Sequence, residues 1–300
     1  MKSQKVRCAT LLMAGIFLLS GCQEILDAQI GTAVAAESDA AAVVDVSRYE
    51  ITSSDYETEG ADYIEIDLEQ NERKSGITEQ SSALYSWNGQ QLKISQAGDY
   101  VLNGSLDGSV TVSVCNDEVV HLILNNVEIH SQSGPAIYVE KAAKVILTAA
   151  DGTENTISDT VVYDEDNQAC IFSNVDLTIN GSGVLNVYGY HEDAIRSKDL
   201  LKVINTNLFV KANNDGLRGN DGVIVFNSDT SIESEGTGIR SVSDKDMVMI
   251  QGGICKVIAG ENAVAANRHV SIHDSQADLY SVEETVKCSG IRDIEEGILS

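Results

Sequence analysis

Basic residues are scarce in this sequence of 300 residues. The 20 lysines and arginines are outnumbered by 46 aspartates and glutamates, and the formal net charge is −26 at pH 7. Because a surface this acidic repels phosphates, the composition argues against a nucleic acid as partner. The excess of acid fits an exported protein that charge keeps soluble, or a protein that gathers cations.

Proline is almost absent, and no stretch repeats its apolar residues with a helical period. The sequence has 1 proline and 24 glycines, and Val, Ile, Thr, Ser and Asn dominate its middle. β-Branched residues favour strands, whereas glycine and asparagine favour tight turns. With 43% hydrophobic residues, the chain can bury one sizeable core. We therefore predict an all-β fold.

Several catalytic and metal-binding motifs are missing as well. The sequence has no CxxC pair, no EF-hand loop, no glycine-rich phosphate loop, and no histidine placed with a Ser or Cys nucleophile. Outside the N-terminal segment, four cysteines are predicted to be small buried apolar residues, with one disulfide left open and no pairing indicated. They are Cys115, Cys170, Cys255 and Cys288.

The sequence does contain an internal repeat. Residues 193–197 (DAIRS), 215–219 (DGLRG) and 237–241 (TGIRS) follow one another at a spacing of 22 residues. Each copy holds a polar residue, a small residue, an aliphatic residue, an arginine and a small residue. A fixed period of this length is typical of repeat architectures, in which each unit stacks on its neighbours.

Looser copies extend the repeat in both directions. Most copies begin 22 to 27 residues apart, and these looser ones begin at Pro135, Ala169, Asn262 and Ser289. The exception is the 34-residue gap after Pro135, which is predicted to contain an inserted loop formed by residues 151–155 and 163–167. Each period also contains about three short strands separated by Gly, Asn or Asp. This pattern predicts a right-handed parallel β-helix with about 22–27 residues per coil.

Stacked coils would align equivalent residues in columns about 4.8 Å apart. The aliphatic position should form a core ladder of Ile137, Ile171, Ile195, Leu217, Ile239, Val264 and Ile291. Because side chains alternate along a strand, the next position should point outward. Five of these outward residues are predicted to bind a polysaccharide ligand. Its carboxylates would form ion pairs with Arg196, Arg218 and Arg240. Its sugar rings would stack on Tyr138 and Phe172. Ala265 and Arg292 would continue the column. The alternative is a self-neutralised ladder in which Asp193 and Asp215 pair with the arginines.

Oxygen-bearing side chains recur at the turns beside this column. Asp193, Asp215, Glu192 and Asn214 are predicted to offer carboxylate and amide oxygens to a calcium ion between coils. The alternative is that each aspartate hydrogen-bonds the backbone of its own turn, without a metal.

The N-terminus is predicted to be a targeting segment. Residues 1–22 have a positive start, a short apolar run and a lipobox-like end (LSGC), so Cys22 would be lipidated. The alternative is an ordinary secretory peptide. Residues 23–60 are predicted to be a disordered acidic linker, and residues 61–300 the β-helix domain. The protein would then be exported and held on the membrane at the cell surface.

The sequence resembles a family of bacterial calcium-binding, carbohydrate-binding right-handed β-helix proteins of the cell surface, similar in fold to pectate lyases. The matching residues are 97–106, 122–129, 150–159 and 177–183, with the turns 193–195 and 215–217 matching a recurrent Asp-Gly-Ile. The resemblance implies binding of acidic pectic polymers or cellulose, and calcium near Asp193 and Asp215. Thr237, Asn262 and Ser289 depart from the aspartate usual in the family.

Three hypotheses for the function follow. The first is a surface-anchored protein that binds acidic polysaccharide or cellulose with calcium and does not cleave it. The second is a calcium-dependent polysaccharide lyase, for which Lys198 and Lys211 flank the acidic turns as the candidate bases. The third is a structural spacer or adhesin that binds no glycan.

Overall fold

The computed structural model describes most of the chain, namely residues 49–59, 62–69, 83–161, 169–244 and 246–299. The chain divides into two compact units, Met1–Glu50 and Ile51–Ser300, and the fold below is that of the second unit. Strands dominate it. The longest helical segment in the described residues is a 3-10 helix at Ser53–Tyr56. The prediction of an all-β fold is confirmed.

The described residues form 24 strands. In chain order they are β1 (Tyr63–Asp67), β2 (Tyr85–Trp87), β3 (Gln91–Ile94), β4 (Gly98–Asp107), β5 (Ser109–Ser113), β6 (Val119–His130), β7 (Ile137–Lys141), β8 (Lys144–Ala149), β9 (Glu154–Ser158), β10 (Ala169–Ser173), β11 (Asp176–Asn180), β12 (Val184–Gly189), β13 (Asp193–Ser197), β14 (Leu200–Ile204), β15 (Asn207–Ala212), β16 (Leu217–Gly219), β17 (Gly222–Ser234), β18 (Ile239–Ser241), β19 (Met247–Ala259), β20 (Val264–Ala266), β21 (His269–His273), β22 (Gln276–Ser281), β23 (Val286–Cys288) and β24 (Ile291–Ile294).

These strands stack in three columns, which we call faces 1, 2 and 3, and about 8 turns of chain form a parallel β-solenoid. Face 3 is a ten-stranded sheet of its own, running from β2 through β7, β10, β13, β16, β18 and β20 to β23. Face 1 consists of β1, β8, β11, β14, β21, β24 and the first parts of β4, β6, β17 and β19. Face 2 consists of β9, β12, β15, β22 and the last parts of the same four long strands. The two faces form one 14-stranded sheet, because each long strand passes from face 1 into face 2. At the corner between faces 1 and 2, Asn126 (φ 57°) in β6 and Asn227 (φ 46°) in β17 adopt a left-handed backbone conformation. Asparagine adopts this conformation more readily than most residues.

The predicted core ladder lies inside face 3. Ile195 pairs with Leu217, Leu217 with Ile239, and Ile239 with Val264, and all four are fully buried. Ile137 and Ile171 continue the ladder upstream in the predicted register. Aliphatic side chains at one position of every coil bury one another only when the coils stack, which is the physical reason the period predicts the fold.

The prediction that Ile291 is the last member of the core ladder is wrong. Val286, not Ile291, pairs with Val264, and Lys287 follows it in the outward position. Ile291 belongs to β24 of face 1, where it pairs with His269 and is 48% exposed. Arg292 therefore does not continue the arginine column. The local pattern small–aliphatic–Arg at 289–292 imitates the repeat, but it falls after the strand of face 3 has ended.

The prediction of an inserted loop at 151–155 is also wrong. These residues are the turn into β9 and its first two positions, and β9 pairs in register with β6 and β12 on face 2. The extra length of this coil therefore follows β9. Residues 163–167 of the predicted loop lie outside the described residues.

Residues 51–59, which belong to the predicted linker, pack against face 1. The buried Asp55 carboxylate forms ion pairs with Lys144 and, at 2.9 Å, Lys202, and it accepts a hydrogen bond from Thr178 Oγ1 at 2.7 Å. Burial alone would raise the pKa of Asp55, but the hydrogen bond from Lys144 and the contacts with Thr52 and Lys202 hold it well below its usual range. One carboxylate thus joins this segment to three successive strands, β8, β11 and β14.

The cysteine prediction is confirmed for Cys170, Cys255 and Cys288, which are buried, and wrong for Cys115, which is exposed. All four are free thiols, and burial raises the pKa of Cys255 to about 11. Cys22 and the predicted targeting segment lie outside the described residues. Within the part of the chain that the structure describes, no helix is long and apolar enough to cross a membrane.

Candidate functional site

The repeated turns that lead into the strands of face 3 carry a ladder of buried aspartates. Asp193 Oδ1 accepts a hydrogen bond from the backbone amide of Asp215 at 3.1 Å. Asp215 Oδ1 accepts one in turn from the amide of Thr237 at 3.0 Å. Each carboxylate therefore bonds the equivalent position of the next coil, and both are completely buried.

The second oxygen of each aspartate faces arginines. Arg218 Nη1 lies 3.6 Å from Asp193 Oδ2 and 3.5 Å from Asp215 Oδ2, so it bridges two coils. Arg240 Nη1 lies 3.2 Å from Asp215 Oδ2, and Arg196 Nη1 lies 3.9 Å from Asp193 Oδ2. We call these five residues the Asp–Arg ladder. Two carboxylates thus pair with three arginines, which is the Asp–Arg pairing of the alternative that the sequence left open.

Burial shifts pKa values within the Asp–Arg ladder. It raises the pKa of Asp193 to about 6, helped by the charge of Asp215 and opposed mainly by Arg218. Burial and the charge of Arg218 lower the pKa of Arg196. The side chains of Arg196 and Arg218 are only 18% and 20% exposed, whereas that of Arg240 is 38% exposed. Arg240 is therefore the one of the three most available to a ligand.

The predicted calcium ligands do not fit the ion as they are arranged. Calcium takes six to eight oxygen ligands at about 2.3–2.6 Å. At Asp193, Oδ1 already accepts from the Asp215 amide and from Asn214 Nδ2 at 2.8 Å, and Oδ2 faces two guanidinium groups. A cation there would meet those positive charges within about 4 Å. In the described residues, no three or more His, Cys, Asp or Glu side chains form a group that could hold a metal. Glu192 is half-buried beside this turn and adds no such group.

The two predicted stacking aromatics are not equally available. The Tyr138 ring is half-buried, 6.0 Å from that of Phe172. Phe172 is only 1% exposed, because the Arg196 guanidinium lies 5.6 Å and Lys198 Nζ 5.3 Å from its ring centre. Cations over an aromatic face attract it electrostatically, and here they cover it. The prediction that Phe172 offers a stacking face to a sugar is wrong.

Face 2 exposes aromatic side chains that are not among the predicted site residues. The Tyr188 and Tyr190 rings stack at 6.0 Å with an interplanar angle of 10°. Tyr190 is 44% exposed, and Phe209, one coil further along, is 49% exposed. We call these three residues the aromatic patch. The available signal was the alternation at 208–210, where buried Leu208 and Val210 flank Phe209 and force it outward.

Polar groups surround the aromatic patch. Asn186, which pairs in register with Phe209, donates to Glu154 Oε1 at 3.2 Å. Asn207 donates to the Ser182 carbonyl at 2.9 Å, and Lys211 pairs with Glu233 at 2.9 Å. The patch is thus an apolar platform with amides and balanced charges at its rim.

The exposed surface of face 2 continues in both directions. Downstream, Ile258 and Tyr280 are exposed in the register column that contains Tyr188. Tyr280 is four coils from Tyr188, or about 19 Å at about 4.8 Å per coil. Upstream, Glu128 and His130 of face 2 line a cleft of about 710 Å³ that also contains Trp87. A polymer could therefore contact several coils at once.

Comparison with known proteins assigns the chain to a family. A family model described as "Carbohydrate-binding domain-containing protein" matches residues 88–298. The chain belongs to this family. A protein of the same description from Acetivibrio thermocellus is 34% identical over 220 residues, which cover 70% of this chain and 77% of that protein.

A solved structure is similar over most of the chain. It is described as the structure of the polysaccharide lyase-like protein from C. thermocellum, as a gadolinium derivative. It superposes with a TM-score of 0.67 at 27% identity and covers 79% of this chain and 98% of that one. The resemblance stated from the sequence is thus confirmed for the carbohydrate-binding family and the solenoid fold.

Proposed function

We propose that the protein binds polysaccharide without cleaving it, and that the polymer lies along face 2 across the aromatic patch. The observation that carries this proposal is that exposed Tyr190 and Phe209 lie beside half-buried Tyr188 in the middle of a solenoid from a carbohydrate-binding family. Soluble proteins seldom leave neighbouring aromatic rings exposed unless the surface binds a partner.

The chemistry of the patch favours an uncharged polymer such as cellulose. A pyranose ring has an apolar face that can lie flat on an aromatic ring, and its hydroxyl groups can bond amides at the rim. Glu154 and Asp229, both exposed on the same face, would repel an acidic chain there. Calcium, which the family resemblance implies, is not needed for this mode of binding.

The lyase alternative has less support. β-Elimination needs a base that is free of its proton, and a lysine serves when its pKa is lowered. The hydrogen bond and charge of Glu233 instead raise the pKa of Lys211. Lys198 lies over the ring of Phe172. Neither contact prepares a catalytic base.

The test compares binding to insoluble cellulose and to a soluble β-glucan, by sedimentation and affinity electrophoresis. Replacing Tyr188 and Phe209 together by Ala should weaken binding at least about tenfold, since each stacking contact contributes about 1 kcal/mol. Tyr63→Ala, which removes an exposed tyrosine from face 1, is the matched control and should bind normally. Undiminished binding by the double variant would contradict the proposal. Steady release of unsaturated products from polygalacturonate would contradict the non-catalytic part.

We also propose that the protein is exported and anchored to the membrane through a lipid on Cys22. The support is the charge and apolar pattern of residues 1–22. The anchor would hold the solenoid at the cell surface, where polysaccharide is accessible.

A further inference from the structure

Residues 51–59, which we call the latch, contain a turn that is closed by contacts within the latch itself. The 3-10 helix Ser53–Tyr56 follows Thr52, whose backbone amide and hydroxyl donate to Asp55 Oδ2 at 2.7 and 2.9 Å. The Asp55 amide donates in return to the Thr52 carbonyl at 3.0 Å. Local contacts of this kind favour a turn in a short segment. The latch therefore presents the Asp55 carboxylate in a conformation that its own sequence supports.

Face 1 holds this carboxylate in a receptor of polar side chains. Lys144, Thr178 and Lys202 lie on the successive strands β8, β11 and β14, and each donates a hydrogen bond to Asp55. The two lysine side chains are only 17% and 10% exposed. Two ammonium groups enclosed in this way repel each other unless an anion lies between them. The receptor is therefore suited to a single carboxylate.

Asn180, in the same strand as Thr178, holds the backbone of the latch. Its Nδ2 donates to the Asp55 carbonyl at 2.9 Å and to the Glu57 carbonyl at 2.7 Å. The residue is only 1% exposed, and both hydrogens of its amide group are committed to these carbonyls. The lysines thus select for an acidic side chain, whereas Asn180 recognises the main chain of a peptide.

A chain of buried polar groups orients Asn180. Thr148 Oγ1 donates to Asn180 Oδ1 at 2.5 Å, and His121 Nε2 lies 2.7 Å from the same hydroxyl. His121 Nδ1 in turn lies 3.3 Å from Asp99 Oδ1. Because Thr148 holds the amide oxygen, the amide nitrogen points toward the latch. Four strands, β4, β6, β8 and β11, each contribute one residue to fix this amide, as in a preorganised binding site.

The latch can reach this receptor from its own solenoid. Asp55 contacts β11, which is four coils from β1 in the order of the sheet, or about 19 Å at about 4.8 Å per coil. Eight residues lead from Asp55 to the start of β1, and eight extended residues span at most about 26–29 Å. The segment is therefore long enough to bind in cis, and its short tether favours it over the latch of a second copy.

We propose that the outer surface of face 1 is a peptide-binding site whose ligand is the chain's own latch, and that the latch docks and undocks while the solenoid stays folded. The ligand class is a short acidic peptide with an aspartate in a tight turn. In the part of the chain that the structure describes, residues 51–59 form no β-bridge with either sheet. A segment held by side chains alone can leave without breaking the hydrogen bonds between coils.

Undocking would lengthen the connection between the solenoid and the residues that precede it. From Ile51 to the start of β1 the chain has 12 residues, which span about 40 Å when fully extended. With an anchor at Cys22, the latch would thus set how far the glycan-binding face can reach. This consequence rests on the proposed anchor, whereas the binding site rests only on the contacts of face 1.

The experiment measures binding of a fluorescent peptide of residues 51–59 to the full chain by anisotropy. Asp55→Ala in the chain removes the carboxylate of its own latch. The peptide should therefore bind this variant at least about tenfold more tightly than wild type, in which the tethered latch competes. Asp55→Asn in the peptide should weaken its binding at least about a hundredfold, as expected when a buried ion pair loses one partner.

A second substitution in the Asp55→Ala chain tests the receptor. Lys202→Ala should abolish binding of the peptide. Lys211→Ala is the matched control, because Lys211 also lies 2.9 Å from a carboxylate but on face 2, and it should leave the affinity unchanged. Circular dichroism checks that each variant is folded. Hydrogen exchange on wild type needs no variant, and the latch amides should exchange at least about tenfold faster than those of β11.

Three results would overturn the inference. The first is a folded Asp55→Ala chain that does not bind the peptide. The second is binding that does not depend on the aspartate of the peptide or on Lys202. The third, which holds even if the variants do not fold, is exchange of the latch amides only together with those of β11. None of these results depends on glycan binding, so a failure of the proposed function on face 2 would leave the inference standing.

Discussion

Replacing Asp215 by Asn tests whether the Asp–Arg ladder holds successive coils together by charge. The variant keeps a side-chain oxygen for the Thr237 amide, but it leaves Arg218 and Arg240 without the carboxylate 3.5 and 3.2 Å away. Removing one partner of a buried ion pair costs about 3–5 kcal/mol. For a domain of this size, the midpoint of thermal unfolding should fall by about 6–20 °C. Circular dichroism measures this midpoint.

Asp229→Asn is the matched control for this experiment. Asp229 Oδ1 also accepts a backbone amide of the next coil, from Ile254 at 3.1 Å, but the residue is exposed on face 2. Its replacement should cost less than about 1 kcal/mol. If both variants shift the midpoint equally, the hydrogen bond and not the buried charge is what matters, and the electrostatic account of the ladder is refuted.

Two further predictions concern the N-terminal part of the chain. Asp55→Asn should lower the free energy of unfolding by about 3–5 kcal/mol at neutral pH, because Lys144 and Lys202 lose their buried partner. Since the pKa of Asp55 is lowered in the folded state, this difference should shrink as pH falls below its ordinary value of 3.8, and denaturant titrations that show a constant difference would contradict it. Cys22→Ser should abolish incorporation of a labelled fatty acid and release the protein from the membrane fraction of its host. Unchanged membrane association of that variant would argue for a different anchor.

The fold follows from the sequence because one interior position dominates the repeat. Ile195, Leu217 and Ile239 occupy the same inward position in three successive coils, and stacking of the coils buries all three. The error in the ladder arose at the C-terminal end of the pattern. Near Ile291 the chain imitates the motif on a different face, and a five-residue match cannot distinguish face 3 from face 1.

The candidate site was less predictable, because its contacts connect different coils. Alternation correctly placed Phe172 on the outside, but it could not show that Arg196 and Lys198 from the next coil lie over the ring. The aromatic patch was missed for the same reason. Tyr188 and Phe209 hold different positions in their strands, β12 and β15, and become neighbours only through the register of those strands. Aromatic residues at different positions of their strands leave no periodic signal in the sequence.

The ladder also explains why the repeat is best preserved at the centre of the chain. An aliphatic core tolerates a shift of two residues, because the same face stays buried and Ile, Leu and Val replace one another at small cost. A buried aspartate does not tolerate it, since a shift would separate its carboxylate from both the amide and the guanidinium of the next coil. Asp193 and Asp215 thus specify register where aliphatic residues only favour stacking. Beyond Arg240 this constraint is absent, because Thr237 and Asn262 stand where the ladder has aspartates.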